Sequence, residues 1–137
     1  MSYSVRELGG IVRIHKVKVF ARFQRHERIA DTALAKAIGR AEQGLVDADL
    51  GGGLIKQRVA RPGQGKSGGY RMVITYRVRN RAVFLLGFAK SGKADLKPDE
   101  LADLAEIGAS WLKADNEQIQ AALADERLKG VDYDDEN

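Results

Sequence analysis

The residues best suited to chemistry lie in one run, Lys56-Gln57-Arg58-Val59-Ala60-Arg61-Pro62-Gly63-Gln64-Gly65-Lys66-Ser67-Gly68-Gly69-Tyr70-Arg71. Lys56 and Arg58 stand two apart, so on a strand both project from the same face. Pro62 stops that strand. Gly63, Gly65, Gly68 and Gly69 keep the connection open, because glycine takes positive φ and lets backbone approach a ligand closely. Arg71 returns on the following segment and, across a hairpin, faces back toward Lys56 and Arg58. Lys90 closes the next apolar run at the same end of the sheet. Residues 50–94 hold ten basic side chains, Arg61, Lys66 and Lys93 among them, and no acidic one. Soluble domains usually intersperse both signs, so this stretch fits a polyanionic partner, and a phosphate backbone is the usual one. The plain alternative is a hairpin loop whose cations are only solvated.

Other chemistries find little support. Gly65-Lys66-Ser67 resembles the end of a nucleotide P-loop, but that motif needs glycine where Ala60 stands and a helix where a strand is expected. His15 and His26 are eleven apart with no cysteine or H-E-x-x-H to join them, and they read as ordinary surface residues. No serine sits in a recognisable nucleophile turn. The carboxylates cluster near the C-terminus, which leaves a glycosidase-like acid pair unsupported. With no cysteine in the chain, disulfides and thiolate metal sites are excluded. No metal or cofactor is expected.

The 137 residues fit one domain, 44% hydrophobic and 31% charged. The net charge of +4 hides a split: residues 1–93 hold 19 basic and 6 acidic side chains, and residues 94–137 hold 4 and 13. The longest apolar stretch, Ala82–Ala89, is too short to span a bilayer. The first 20 residues show no apolar core of signal-peptide length, so a cytoplasmic location without membrane contact is expected.

The elements that must position the basic run follow from periodicity. Residues 1–14, with Gly9-Gly10, read as a weakly ordered lead-in. Val17 and Val19 predict a short first strand, and Ala21 to Arg28 a helix anchored by Phe20 and Phe23. Asp31 predicts an N-cap, Leu34, Ala37, Ile38 and Ala41 an apolar stripe, and Gly44 a terminator. Leu45–Gly53 reads as a loop. Strands are predicted over Leu54–Ala60, Gly69–Val78 and Ala82–Ala89, the last two joined by a turn at Arg79-Asn80. Pro98 predicts a helix start, with Trp111 and the leucines before it as core, and Asn116 caps a last helix ending near Gly130. Val131–Asn137 reads as a frayed acidic tail.

Residues 55–71, with Gly87-Phe88-Ala89-Lys90-Ser91 after them and Ala41 to Gly53 before them, resemble the RelE/HigB-like toxins of bacterial type II toxin–antitoxin pairs, within the RelE/ParE superfamily. The likeness covers about residues 14–113, leaving 114–137 as an acidic helical C-terminal extension of a single domain spanning 1–137. The resemblance implies an α+β fold, with N-terminal helices packed on a small twisted antiparallel sheet, here followed by C-terminal helices. It implies an endoribonuclease that cuts mRNA, often on the ribosome, and that a cognate antitoxin of helix-turn-helix type neutralises. Such toxins work without a metal: the ribose 2′-hydroxyl attacks the adjacent phosphate, leaving a 2′,3′-cyclic phosphate and a 5′-hydroxyl. Carried onto this chain, the family's pattern makes Lys56 the general base and Arg58 and Arg71 phosphate clamps. Arg61 and Lys66 would hold flanking backbone, and Lys90 would stand on the leaving-group side.

Two departures bear on that assignment. The resemblance implies an arginine just after the last sheet strand and a tyrosine in the segment that follows. This chain has Ser91 there and no tyrosine between Tyr76 and Tyr133, which nominates Tyr76 or Lys93 as substitutes. The superfamily also contains ParE-like toxins that inhibit a topoisomerase by binding it, and a non-catalytic RNA-binding module is the third reading.

Overall fold

The computed structural model describes residues 12–61, 65–89 and 96–132. Among them the chain runs β1 (Arg13–Val17), α1 (Lys18–Glu27), α2 (Asp31–Glu42), β2 (Ala48–Gly51), β3 (Leu54–Arg61), β4 (Gly65–Arg77), β5 (Arg81–Ala89), α3 (Pro98–Lys113), α4 (Asn116–Ala124) and β6 (Leu128–Gly130). The strands form one sheet in the order β2-β3-β4-β5-β1-β6. The class is α+β, with a mixed sheet: β1 pairs with β5 in parallel, and the other pairings are antiparallel. No helix among the described residues is long and apolar enough to cross a membrane.

Alternation along the strands builds two cores, one per face. On the first face Ile55, Val59, Tyr70, Met72, Ile74 and Phe84 pack against Phe20 of α1 and Leu34 and Ile38 of α2. On the second, Leu54, Val73, Val83 and Leu85 pack with Ile119 and Ala122 of α4, and Leu104, Ala105 and Trp111 of α3 lie against them. Val73 pairs with Leu86 and Ile74 with Phe84, so Leu85 is an extra residue on β5. This bulge puts both Leu85 and Leu86 in the second core. Beyond it Gly87 faces the first core, where a Cβ would run into the Phe23 ring.

Several elements differ from the sequence expectation. The first strand is Arg13–Val17 and α1 begins at Lys18. Val19 falls on the outer side of the helix, 54% exposed, while Phe20, Ala21 and Gln24 turn inward. The expected loop after Gly44 contains β2, which pairs with β3 because Gly51, Gly52 and Gly53 all take positive φ and reverse the chain tightly. Asp31 is the first residue of α2 rather than its cap, which is Ala30. Asp115, not Asn116, caps α4: its carboxylate accepts from the Gln118 N–H at 2.8 Å, and the Asp115 N–H donates to the Gln118 side-chain oxygen. Val131 is buried and donates its N–H to the Ile14 carbonyl at 3.0 Å, continuing the β6 edge instead of fraying. Gly9-Gly10 and residues 133–137 lie outside the described residues.

Polar groups sit under the second helical layer. Arg81 is buried and donates to the carbonyls of Trp111 and Ala114, each at 2.7 Å, completing the C-terminus of α3. His15 is 8% exposed, because its strand lies between β5 and β6, so the surface placement expected from sequence does not hold. Burial, then Arg81 and Arg13, hold its pKa below the ordinary value. The Nδ1 atom of His15 has no hydrogen-bond partner.

Two measurements test this packing. Gly69 lies where a Cβ would collide with the Val59 carbonyl oxygen and the Arg61 nitrogen, whereas nothing lies within 4 Å of one at Gly39 inside α2. Gly69→Ala should lower stability by about 2 kcal/mol, and Gly39→Ala should raise it by about 0.5–1 kcal/mol. Equal effects in urea denaturation would contradict the packing described. His15 takes up a proton less readily in the fold than in the unfolded chain, where it titrates near pH 6.5, so the unfolded state binds more protons below that pH. Stability therefore falls as pH drops from about 6.5, and His15→Leu should flatten that part of the curve relative to the parent chain.

Candidate functional site

The site is built on the antiparallel pair β3–β4. Ile55, Val59, Tyr70 and Met72 belong to the first core, so Lys56, Arg58 and Arg71 all project from the second face. Arg58 and Arg71 are direct partners across the ladder, and Lys56 lies opposite Val73. Exposure falls from Arg58, on the surface, through Lys56, half-buried, to Arg71 at 8%. The three cations named first by the sequence thus share one face, graded from open surface into the protein. Phe88 pairs with Arg71 across β4–β5, and the bulge at Leu85 turns it to that same face. The sequence does not announce this placement, because a bulge leaves no mark in the alternation of an all-apolar strand.

What fixes this face is a set of bonds on the other one. Gln57 is fully buried. Its Nε2 donates to the carbonyls of Ala37 (2.9 Å) and Leu45 (3.2 Å), and its Oε1 accepts from the Asp47 N–H at 2.8 Å. The Arg58 N–H donates to Asp47 Oδ2 at 2.7 Å, and the Arg58 carbonyl accepts from Arg40 Nη2 at 2.7 Å. β2 ends its pairing with β3 at Ala48–Lys56, so these side chains satisfy backbone groups of β3 where the neighbouring strand has run out. Sequence offered one clue to them, a lone glutamine at an inward position of an otherwise apolar face.

The remaining sequence-nominated residues do not join the group. Beyond a register shift that follows Val59, Arg61 reaches the first face, its guanidinium 5.7 Å from the centroid of the Tyr70 ring. The Tyr70 hydroxyl donates to Glu27 Oε1 at 2.9 Å. Tyr76 also stands on the first face, and its hydroxyl donates to Glu42. Burial, together with that carboxylate, pushes the phenol pKa up. Alternation places Tyr76 with Ile74 and Met72, on the face opposite Arg71 and Val73. Lys90 and Lys93 lie outside the described residues, as does the side chain of Lys66 on β4.

The model of a family described as the RelE toxin of RelE / RelB toxin-antitoxin system matches residues 12–131. The comparison with curated proteins gave no match.

The Gln57 bonds have a measurable consequence. Gln57→Met keeps the unbranched shape and removes the polar atoms, leaving the Ala37 and Leu45 carbonyls and the Asp47 N–H without their partner. The loss should be about 2–4 kcal/mol in chemical denaturation, with faster hydrogen exchange at the Asp47 amide. A variant as stable as the parent would show that these bonds do not hold β3 in place.

Proposed function

Since the chain belongs to the RelE toxin family, and is thus the toxin of a toxin–antitoxin system with a cognate antitoxin as partner, we propose that it is an endoribonuclease acting on mRNA during translation. The observation that carries this reading is the register of Arg58 against Arg71 on the face that also bears Lys56. Like charges directly opposite on a sheet lower stability, and an anionic ligand offsets that repulsion. An RNA phosphodiester is the substrate the family points to.

The reaction needs little more than positioning and charge. Lys56, in its neutral form, takes the proton from the ribose 2′-hydroxyl. The freed oxygen attacks the adjacent phosphorus, and the bond from phosphorus to the 5′-oxygen breaks. Lys90 returns a proton to that leaving oxygen. The products are a 2′,3′-cyclic phosphate and a 5′-hydroxyl, so atoms and protons balance. Arg58 and Arg71 stabilise the charge that grows on the non-bridging oxygens in the transition state. Arg71, fixed by burial, is preorganised for that role, while the open Arg58 meets the backbone first. Phe88 beside Arg71 offers an aromatic face to a neighbouring base. The antitoxin is of helix-turn-helix type, and its binding covers or distorts this face.

Primer extension on cellular mRNA after induction tests the reading. Cleavage within translated transcripts is expected, and Arg58→Ala should reduce it by about 10²–10³-fold in a protein that stays folded, because Arg58 is exposed. Growth arrest with transcripts intact and DNA damaged would replace the nuclease reading with topoisomerase binding.

A further inference from the structure

A second cluster of cations lies on the opposite face and at the other side of the sheet. Lys16 on β1 and Lys129 on β6 are direct partners across the antiparallel ladder. With Gln24, Arg25 and Arg28 from the end of α1 they line a pocket of about 300 Å³. Arg25 and Arg28 have a local reason to be there, since cations complement the C-terminus of a helix. Lys16 is paired with Asp31, but Lys129 stands in register with it, and like charges opposite each other across a ladder lower stability. No carboxylate of the described residues pairs with Arg25, Arg28 or Lys129. The carboxylate bonded within the cluster, Asp31, is already engaged. Its Oδ1 accepts from Lys16 Nζ at 2.9 Å and from Gln24 Nε2 at 2.7 Å, and its Oδ2 accepts from the Asp132 N–H at 2.9 Å. Four cations therefore meet one occupied anion around a space large enough for a small ligand.

We propose that this pocket binds a phosphate group, at a site separate from the face of Lys56, Arg58 and Arg71. The chemistry fits a tetrahedral phosphate anion, whose oxygens accept from the guanidinium of Arg25 or Arg28 and from the Lys129 ammonium in short charge-assisted hydrogen bonds. Lys16, held by Gln24 and Asp31, adds fixed charge from below. The phosphate can come from a nucleic-acid backbone or from a free phosphate ester. The inference stands on this pocket alone and does not depend on the nuclease reading.

The test uses the full chain carrying Arg58→Ala, so that the opposite face holds the probe less well. Inorganic pyrophosphate is titrated and followed by nitrogen-15 NMR. Saturable shifts are expected at the Gln24 side-chain amide and at the Arg28 and Ile29 backbone amides. Lys129→Ala should weaken them about tenfold, as the loss of one charged hydrogen bond implies. Arg25→Ala, on the exposed side of α1, gives the same reading should the Lys129 variant misfold. A fully 2′-O-methylated oligoribonucleotide then separates the sources: displacement of pyrophosphate at these amides assigns the pocket to a nucleic-acid backbone, and no displacement assigns it to a free phosphate ester. Absence of saturable shifts at Gln24, or an affinity unchanged by both alanine variants, would overturn the proposal.

Discussion

The arrangement of the candidate site depends on one buried side chain facing away from it. Gln57 satisfies two carbonyls and one N–H with its single amide, and nothing about it touches a ligand. A strand has two faces and a period of two, so anchoring residue 57 to α2 obliges residues 56 and 58 to face the other way. A slip of one residue would bury Lys56 and Arg58 in the aromatic core, at a desolvation cost far beyond any gain. The polar amide thus acts as a register pin, and its burial excludes water that could stand in for its partners.

The two faces of the sheet are held by different physics. The first is an aliphatic and aromatic core, with Phe20 against Phe84 at 5.1 Å between ring centroids, and it tolerates little change in shape. The second mixes apolar contacts with Arg81, His15 and Thr75, all buried, and α3 approaches the sheet closely only through Gly108, where a Cβ would come within 2.9 Å of Thr75. Arg81 replaces hydrogen bonds that the end of α3 cannot make for itself. A helical layer fastened by a cap, one close glycine contact and a modest apolar stripe covers part of the face that carries the site cations. This asymmetry leaves room for chemistry on one side while the other supplies rigidity.

Charge organises the remaining long-range contacts. The basic half and the acidic half meet at Asp31, which receives Lys16 from β1, Gln24 from α1 and the backbone of Asp132. Burial raises its pKa, but the hydrogen bonds from Gln24, Asp132 and Lys16 outweigh that and hold the carboxylate ionised below its usual range. One carboxylate therefore ties both ends of the described chain to the first face.

Much of this was legible in the sequence, where the controlling physics is local. The stripe Leu34, Ala37, Ile38 and Ala41 is buried as a helical period requires, and Gly44 ends that helix at a φ of +85°. The alternation of β4 separates Tyr70, Met72, Ile74 and Tyr76 from Arg71, Val73 and Thr75, and read strictly it also places Tyr76 on the face opposite Arg71. Short strands such as β2 and β6 carry too few residues to declare themselves, and they exist because a neighbour offers an edge. The parallel pairing of β1 with β5, the bulge that turns Phe88, the depth at which Arg71 sits, and the meeting of Lys16 with Lys129 were decided only by the tertiary structure. Backbone geometry sets periodicity within a few residues, whereas register, burial and the company a charge keeps are set by segments distant in the chain.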